Sequence, residues 1–575
     1  MAEPAIVVTG QREEYGVDAT RGATRTDTEV KDIPQAMTII SESQIEDQDL
    51  RSIADLLTFV PGATPGTGEG NRDQITLRGN NTTADFFVDG IRDDVQYYRD
   101  LYNVDRVEVL RGPNAMIFGR GGGGGVVNRV TKRASYDNYR QFSLSGDSEG
   151  GIRMTGDVDM PLGFAAGLRV NGVYENGESF RPDVELERYA LNPTVGLTIG
   201  ADTRIDLAFE HFHDRRTADR GIPSVTDASA DDLPLEGHDR IFFGDPDKSF
   251  SKADVDLVTF ALEHSLGEQL TLRNRTLFGD YDKFYQNIYP TNLDEAKNEV
   301  VLGAYNSRND RRNFFSQTDL VWEGLIGGID QTLLAGFEYG RQKSRNIRLS
   351  GTFAGSSRVP LSDPTVSANV SFAAAASDAN NRTAATITAF YVQDQIRFSP
   401  AIEIIAGLRF DRFRLVVDDL RGAGARFART DELLSPRLGL ILKPAATLSF
   451  YASYGRSYLP SAGDQFGGLD PTSAALKPEK FDNYEIGAKW EPIQGLLATA
   501  ALYQLDRSNT RAADPANPAK IVLTGAQRSR GLELGVERSI SDRWQISAGY
   551  ALQEAEISRT TSAAPKGREV PLVPR

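Results

Sequence analysis

The 575-residue chain has no cysteine and only four histidines. A chain without thiols suits an oxidising compartment, where a stray thiol is a liability. No run approaches the roughly 20 apolar residues that a spanning helix needs, and the mean hydropathy is −0.37. That excludes a helical membrane protein but not a barrel, whose short strands alternate apolar with polar residues. A formal charge of −16 argues against a phosphate backbone as partner, so no nucleic acid is expected. Met1-Ala2-Glu3-Pro4 lacks the basic and apolar regions of a signal peptide and reads as the start of a mature chain. No nucleophile elbow or triad motif is present, so neither an enzyme nor a resident cofactor is expected. His211-x-His213 would share one strand face without a clear third metal ligand.

What is present falls into two parts. The chain is too long for one ordinary compact core. Ala5–Gly10 is a short β-prone run, and the polar stretch that follows reads as a flexible tether, the two together occupying 1–32. Over 33–136 a compact α+β unit is expected. Ser41 with Gln44 makes a capping box, Leu50, Ile53, Leu56, Leu57 and Val60 recur at helical spacing, and Pro61-Gly62 stops the helix. Short strands are expected at Gln74–Arg78, Phe86–Val88, Val104–Leu110 and Val126–Thr131, with Asp89-Gly90 as a turn.

Over 137–575 the pattern is nearly all strand. Leu168, Val170, Gly172 and Tyr174 alternate with Arg169, Asn171, Val173 and Glu175, and the runs at 402–411 and 544–551 repeat the period of two. A soluble sandwich would alternate similarly. A membrane barrel is favoured by strands near the roughly 9–11 residues needed to cross a bilayer. Aromatic residues at strand ends (Tyr454, Tyr503, Trp490, Trp544) fit an interfacial belt. Tight turns such as 491–495 contrast with long polar connections at 214–252, 282–312, 341–385 and 459–480. Some 430 residues at roughly 48 per hairpin give about 18 strands.

Several stretches resemble the TonB-dependent receptor family: IPQAMTII from Ile33, ITLRG from Ile75, FFVDGI from Phe86, and VDRVEVLRGPNAMIFGRGGGGGVVNRVTKR from Val104. In the second part SPRLGL from Ser435, LSFYASYG from Leu448, LKPEKFDNYEIGAKW from Leu476 and SRGLELGV from Ser529 continue the resemblance. The run from Phe86 to Gly121 is most similar to the catecholate branch of the ferric siderophore receptors. The resemblance implies a mainly β fold: a large antiparallel transmembrane β-barrel of the 22-stranded type with an N-terminal α+β plug in its lumen. It implies a monomer in the bacterial outer membrane, contacting lipid and importing a ferric siderophore. Catecholate is favoured and hydroxamate is a further option, with iron present only in the cargo. A TonB-type inner-membrane protein would supply the energy. Other solutes (cobalamin, a sugar or haem) and passive porin-like conduction stand as alternatives. The strand estimate below 22 and the turn-like ending VPLVPR lead to the expectation of a C-terminally truncated barrel.

Three residue sets carry the mechanism. Ile6, Val7, Val8, Thr9 and Gly10 resemble a TonB box, an extended segment that adds a strand to a partner's sheet; an ordinary plug strand is the bland reading. Alternation places Glu485 and Glu533 on the polar face of their strands, hence in the lumen, and the family pairs such glutamates with a plug arginine. Arg111 is assigned to that latch, against the alternative of solvated lumen charges. Arg78, Tyr97, Tyr98, Arg99 and Tyr102 form the expected ligand-contacting apex, suited to an anionic aromatic chelate, with simple packing beneath the apex as the alternative. Arg78 could equally be a second latch residue. Phe242, Phe243, Tyr285 and Tyr289 are further loop candidates. Gly119-x-Gly121-x-x-Gly124 matches a dinucleotide fingerprint, but a strand follows it, so the glycine run reads as a turn with close backbone approach.

Overall fold

The computed structural model describes residues 15–226, 232–460, 465, 476–493, 496–514, 517–541, 544–560, 565–570 and 573–574. Ile6–Gly10 lie outside the described residues.

The plug is built on a five-stranded sheet in the order Met37–Ser41, Val104–Arg111, Gly125–Thr131, Phe86–Val88, Ile91–Arg92. Asp89 and Gly90 both take positive φ (50° and 81°), which turns Phe86–Val88 back into Ile91–Arg92. A second, three-stranded sheet carries Ala63–Pro65, Ile75–Leu77 and Asn80–Thr82. Ile40, Leu56, Leu57, Ile75, Leu77, Val107 and Val127 are buried together between these layers.

The single amphipathic helix expected here is two helices, Glu42–Asp47 and Ile53–Leu57. Ser41 caps the first through the Gln44 amide. Ser52 and Asp55 form a complete capping box that starts the second, and Asp49 between them is left-handed at φ 48°. The apolar spacing is helical, but the second cap resets the axis.

Residues 15–32, expected as a flexible tether, are folded in their described part. Ala19–Thr20 pairs antiparallel with Thr28–Glu29, and Ala23, Thr24, Arg25 and Thr26 are buried at the tip of this hairpin.

The second part is one antiparallel 19-stranded sheet running from Tyr139–Gly146 to Trp544–Arg559. Two of its members, Arg358–Pro360 and Val370–Ala373, are short additions, which leaves seventeen long strands. Among the described residues no pairing joins the two edge strands. The sheet is inside-out relative to a soluble protein. In Glu479–Trp490, Tyr484, Ile486 and Trp490 are 51–56 % exposed, whereas Glu485 and Lys489 are 2–3 % exposed. Apolar side chains outside and polar ones inside are what lipid on one face and a polar lumen on the other require. Trp490 ends Glu479–Trp490 and Trp544 begins Trp544–Arg559, both exposed, and Tyr454 packs outward on Tyr484. Tyr503, expected in the same outer belt, points inward instead, because it pairs across the sheet with Glu485 on the lumen face.

Turns are short on the side where the plug hands over to the wall (162–165, 200–202, 327–328, 446–447) and longer on the other. Two of the expected long loops are largely strand. Leu270–Asp294, Glu299–Ile326 and Ile329–Phe353 run 25 to 28 residues, far beyond a bilayer span. Pairing across the hairpins satisfies their backbone groups once they leave the membrane. Above the wall Phe243, Ile288, Val300, Leu302 and Val359 form a separate apolar core that ties the outer loops together.

Candidate functional site

The plug is held to the wall by buried ion pairs, and Arg78 is at their centre. It follows Ile75–Leu77 with φ 47°, and Gly79 follows with φ 73°, so two left-handed residues turn the chain at the wall. Gly79 is needed for the approach: a Cβ there would sit 2.7 Å from the Ala555 Cβ of the wall. The Arg78 guanidinium donates from Nε and Nη2 to the two oxygens of Glu533 (2.9 and 2.7 Å) and from Nη1 to Glu485 (2.7 Å). It lies 4.0 Å from the Tyr503 ring centroid and is fully buried. Burial acts against its charge, but Glu485 and Glu533 more than offset this and raise its pKa well above the usual arginine value. Glu485 also accepts from the Ala36 amide (2.6 Å) and the Tyr451 hydroxyl (2.8 Å), so plug backbone and wall share one carboxylate.

Glu485 and Glu533, assigned with Arg111 to the latch, take Arg78 as their principal ion-pair partner instead. Arg111 is 3.6 Å from Glu533 and spends its better bonds on the Pro61 carbonyl and Thr38 hydroxyl, 3.1 Å each. Its Nε has no hydrogen-bond partner among the described residues. Arg78 does not reach the outer surface, so its place among the apex contacts is corrected.

The rest of the expected apex patch is largely internal too. Arg99 is 1 % exposed and clamped by Asp73 and Asp93, with its face on Phe86. Tyr97 is buried and donates to Asp93 at 2.8 Å; Tyr102 is buried and donates to Glu210 of the wall at 2.9 Å. The density of aromatic and basic residues is real, but it serves packing between plug and wall. Only Tyr98 keeps partial exposure, with Arg216 stacked 4.0 Å from its ring centroid. Phe242 and Phe243 are buried in the loops.

A different aromatic–arginine cluster lies at the outer end. The plug loop at Glu69 meets Tyr305, whose hydroxyl donates to the Glu69 carboxylate at 2.6 Å, and Tyr285, which donates to the Glu69 carbonyl at 2.9 Å. Tyr285 and Tyr289 both pack on Tyr305. Arg348 lies over Tyr305 at 3.7 Å and Arg220 over Tyr289 at 4.1 Å. Burial raises the Glu69 pKa, but Arg72, the Tyr305 hydroxyl and Arg220 outweigh it and hold the carboxyl at about 2. Nearby, a cavity of about 280 Å³ is lined by Gly70, Tyr98, Arg216 and Asp219. Tyr305, Arg216 and Arg348 lie on strands and Arg220 on the loop after Thr217, and the tertiary fold brings them to the plug tip, which no local pattern records.

Two further plug–wall sets complete the seat. Asp100 bridges Arg153 (2.8 Å) and Arg188 (2.6 Å) of the wall. Burial opposes its charge, yet the two arginines hold the carboxyl well below the usual carboxylate range. In the N-terminal hairpin Arg25 donates to the Ile117 carbonyl of the plug and, at 2.6 Å, to the Tyr391 hydroxyl of the wall, with Asp319 at 3.5 Å. The glycine run does what its composition suggests: a Cβ at Gly123 would strike the Phe481 ring at 2.3 Å, and one at Gly124 the Leu77 carbonyl at 2.2 Å.

A lipid-facing wall with a plug held in its lumen by buried charge pairs defines a plugged outer-membrane barrel. The chain belongs to the TonB-dependent receptor family: the model of the TonB dependent receptor-like β-barrel matches residues 190–575, and that of the TonB-dependent receptor plug domain matches 29–126. It is 28 % identical to the probable TonB-dependent siderophore receptor PiuA of Acinetobacter baumannii, over 93 % of this chain and 76 % of that one. It is 25 % identical to the catecholate siderophore receptor Fiu of Escherichia coli K12, over 94 % and 77 %. The crystal structure of PiuA superposes with a TM-score of 0.88 at 24 % identity, covering 98 % of this chain and 86 % of that one, which shows the shared fold.

Proposed function

We propose that this receptor imports a ferric siderophore across the outer membrane, with a catecholate chelate favoured. The observation that carries the reading is the Tyr285–Tyr289–Tyr305 cluster with Arg220 and Arg348 around the plug tip. Its rings and guanidinium faces suit an aromatic, anionic chelate by stacking and charge. Relatives named as siderophore and catecholate receptors support it. Ligand settling on this cluster would compete for the Tyr285 and Tyr305 hydroxyls that now hold Glu69, loosening the plug tip. Capture of Ile6–Gly10 by a TonB-type partner would then load the chain in the order of Arg25, followed by the plug and its Arg78 latch. Iron enters only within the cargo.

The test is growth of an iron-limited host that lacks its own siderophore receptors and expresses this one, supplied with single ferric chelates. A catecholate should rescue growth, and deleting residues 5–10 should abolish rescue while ligand binding persists. Failure of every iron chelate would sink the iron assignment. A second reading has its own support: the metal-pseudopaline receptor CntO of Pseudomonas aeruginosa is 28 % identical over 98 % of this chain and 79 % of that one. Rescue by a non-catecholate metallophore alone would favour it.

A further inference from the structure

Several carboxylates on the outward face of the wall, near its outer rim, have basic partners. Asp254 is shared by His213 and Lys252, Asp482 is shared by Arg456 and Lys480, and Asp506 meets Arg528 at 2.6 Å. Asp394 differs in depth and in company. It lies on Asn380–Ser399, five residues before that strand ends at a short turn on the plug-entry side. Trp322 lies four residues before the end of Glu299–Ile326 on the same side. The carboxylate is therefore at the depth of an interfacial tryptophan, within the lipid-facing wall.

Alternation settles which way it points. Tyr391 and Gln393 are each 2 % exposed in the lumen, whereas Val392 is 58 % exposed, so Asp394 faces outward with Val392. The register surrounds it with apolar side chains. Its own row across the sheet runs Trp322, Leu333, Asp394, Ala406, Leu438, and the next row away from the turn runs Leu320, Ala335, Val392, Leu408. The small Ala335 and Ala406 leave a groove of about 550 Å³ beside the carboxylate, walled by Leu320, Trp322 and Leu408. That is within the roughly 300–1,000 Å³ of small-molecule sites. Among the described residues Asp394 forms no ion pair within 4.0 Å, and its Oδ1 is shielded with no hydrogen-bond partner. A carboxylate so placed calls for a cation that can donate a hydrogen bond.

We propose that this groove binds a phospholipid of the periplasmic leaflet whose headgroup carries a primary ammonium. The ammonium donates to Asp394, and an acyl chain lies along Leu320, Val392 and Leu408. The carboxylate requires the positive charge, the bare Oδ1 requires the N–H, and the depth beside short periplasmic turns requires the lipid. A trimethylammonium headgroup supplies the charge without the donor. On the reverse face of the same strand Gln393 donates to the Thr24 carbonyl at 2.9 Å, and Tyr391 accepts from Arg25 at 2.6 Å. The groove thus backs the segment of wall that anchors the N-terminal hairpin.

The experiment is native mass spectrometry of the detergent-purified receptor, titrated with phospholipids of identical acyl chains whose headgroups carry a primary ammonium, a trimethylammonium or glycerol. The primary-ammonium lipid should bind at least about fivefold tighter than either of the others. D394N should remove that preference. A406F should weaken binding of the primary-ammonium lipid at least about fivefold by filling the groove, and D506N at the paired outer rim should leave it unchanged. Equal binding of all these lipids by the wild-type receptor overturns the proposal, as does a preference that survives D394N. A polypeptide that copurifies with the wild type and not with D394N, in the absence of any headgroup preference, would also overturn it and put a protein partner in the groove. If D394N fails to fold, judged by heat-dependent gel mobility, the wild-type headgroup order and A406F decide.

Discussion

Replacing Arg78 with methionine removes the cation that three charge-assisted hydrogen bonds of 2.7 to 2.9 Å hold between plug and wall. Glu485 and Glu533 are then left facing each other in a buried site, each 3 % exposed. Breaking a buried pair from one side costs about 3–5 kcal/mol, mostly the penalty of the uncompensated charge. That corresponds to roughly a 10²- to 10⁴-fold shift in the seated-to-unseated equilibrium of the plug. The assay is ion conductance of the receptor in a planar bilayer across a urea series, where an unseated plug opens the lumen. Arg78→Met should conduct at markedly lower urea. The triple variant with Glu485→Gln and Glu533→Gln should recover most of the loss, because both orphan charges are gone. Arg111→Met should shift the onset less, since Arg111 is 3.6 Å from Glu533 and its Nε has no partner among the described residues. An Arg78→Met shift under about 1 kcal/mol, or one no larger than that of Arg111→Met, would refute the latch and return Glu485 and Glu533 to ordinary lumen charges.

Gly79→Val should weaken plug seating by about 2 kcal/mol or more, from strain at φ 73° and the clash with Ala555, read in the same urea series. Arg25→Gln should raise amide hydrogen exchange across residues 19–29 at least about tenfold, because the hairpin loses its bonds to Ile117 and Tyr391; unchanged exchange would contradict the anchoring role. Glu69 has a depressed pKa, about 2 against 4.5, so its contribution to holding the plug tip is complete above pH 4.5 and is lost as pH falls towards 2. Hydrogen exchange of residues 66–72 should therefore rise on acidification in this window in the wild type, and Glu69→Gln should flatten that rise.

The sequence by itself settled what is periodic or local. Alternation at 168–175, 402–411 and 544–551 identified strands and their lipid face, because a period of two decides which side chains share a surface. The Asp89-Gly90 turn and the close approach of the glycine run were legible for the same reason, as backbone geometry is set by the residues themselves. Alternation also turned Glu485 and Glu533 inward. Which arginine meets them was decided by the tertiary structure: Arg78 and Arg111 are both plug arginines followed by glycine, and only the seating of Gly79 against Ala555 brings Arg78 to both carboxylates. Tyr503 looked like an interfacial aromatic until its register with Glu485 placed it in the lumen. Arg99, Tyr97 and Tyr102 looked like ligand contacts until Asp73, Asp93 and Glu210 accounted for their polar groups. Composition reports which chemistry is available, but partners hundreds of residues apart are chosen by how the plug sits in the wall.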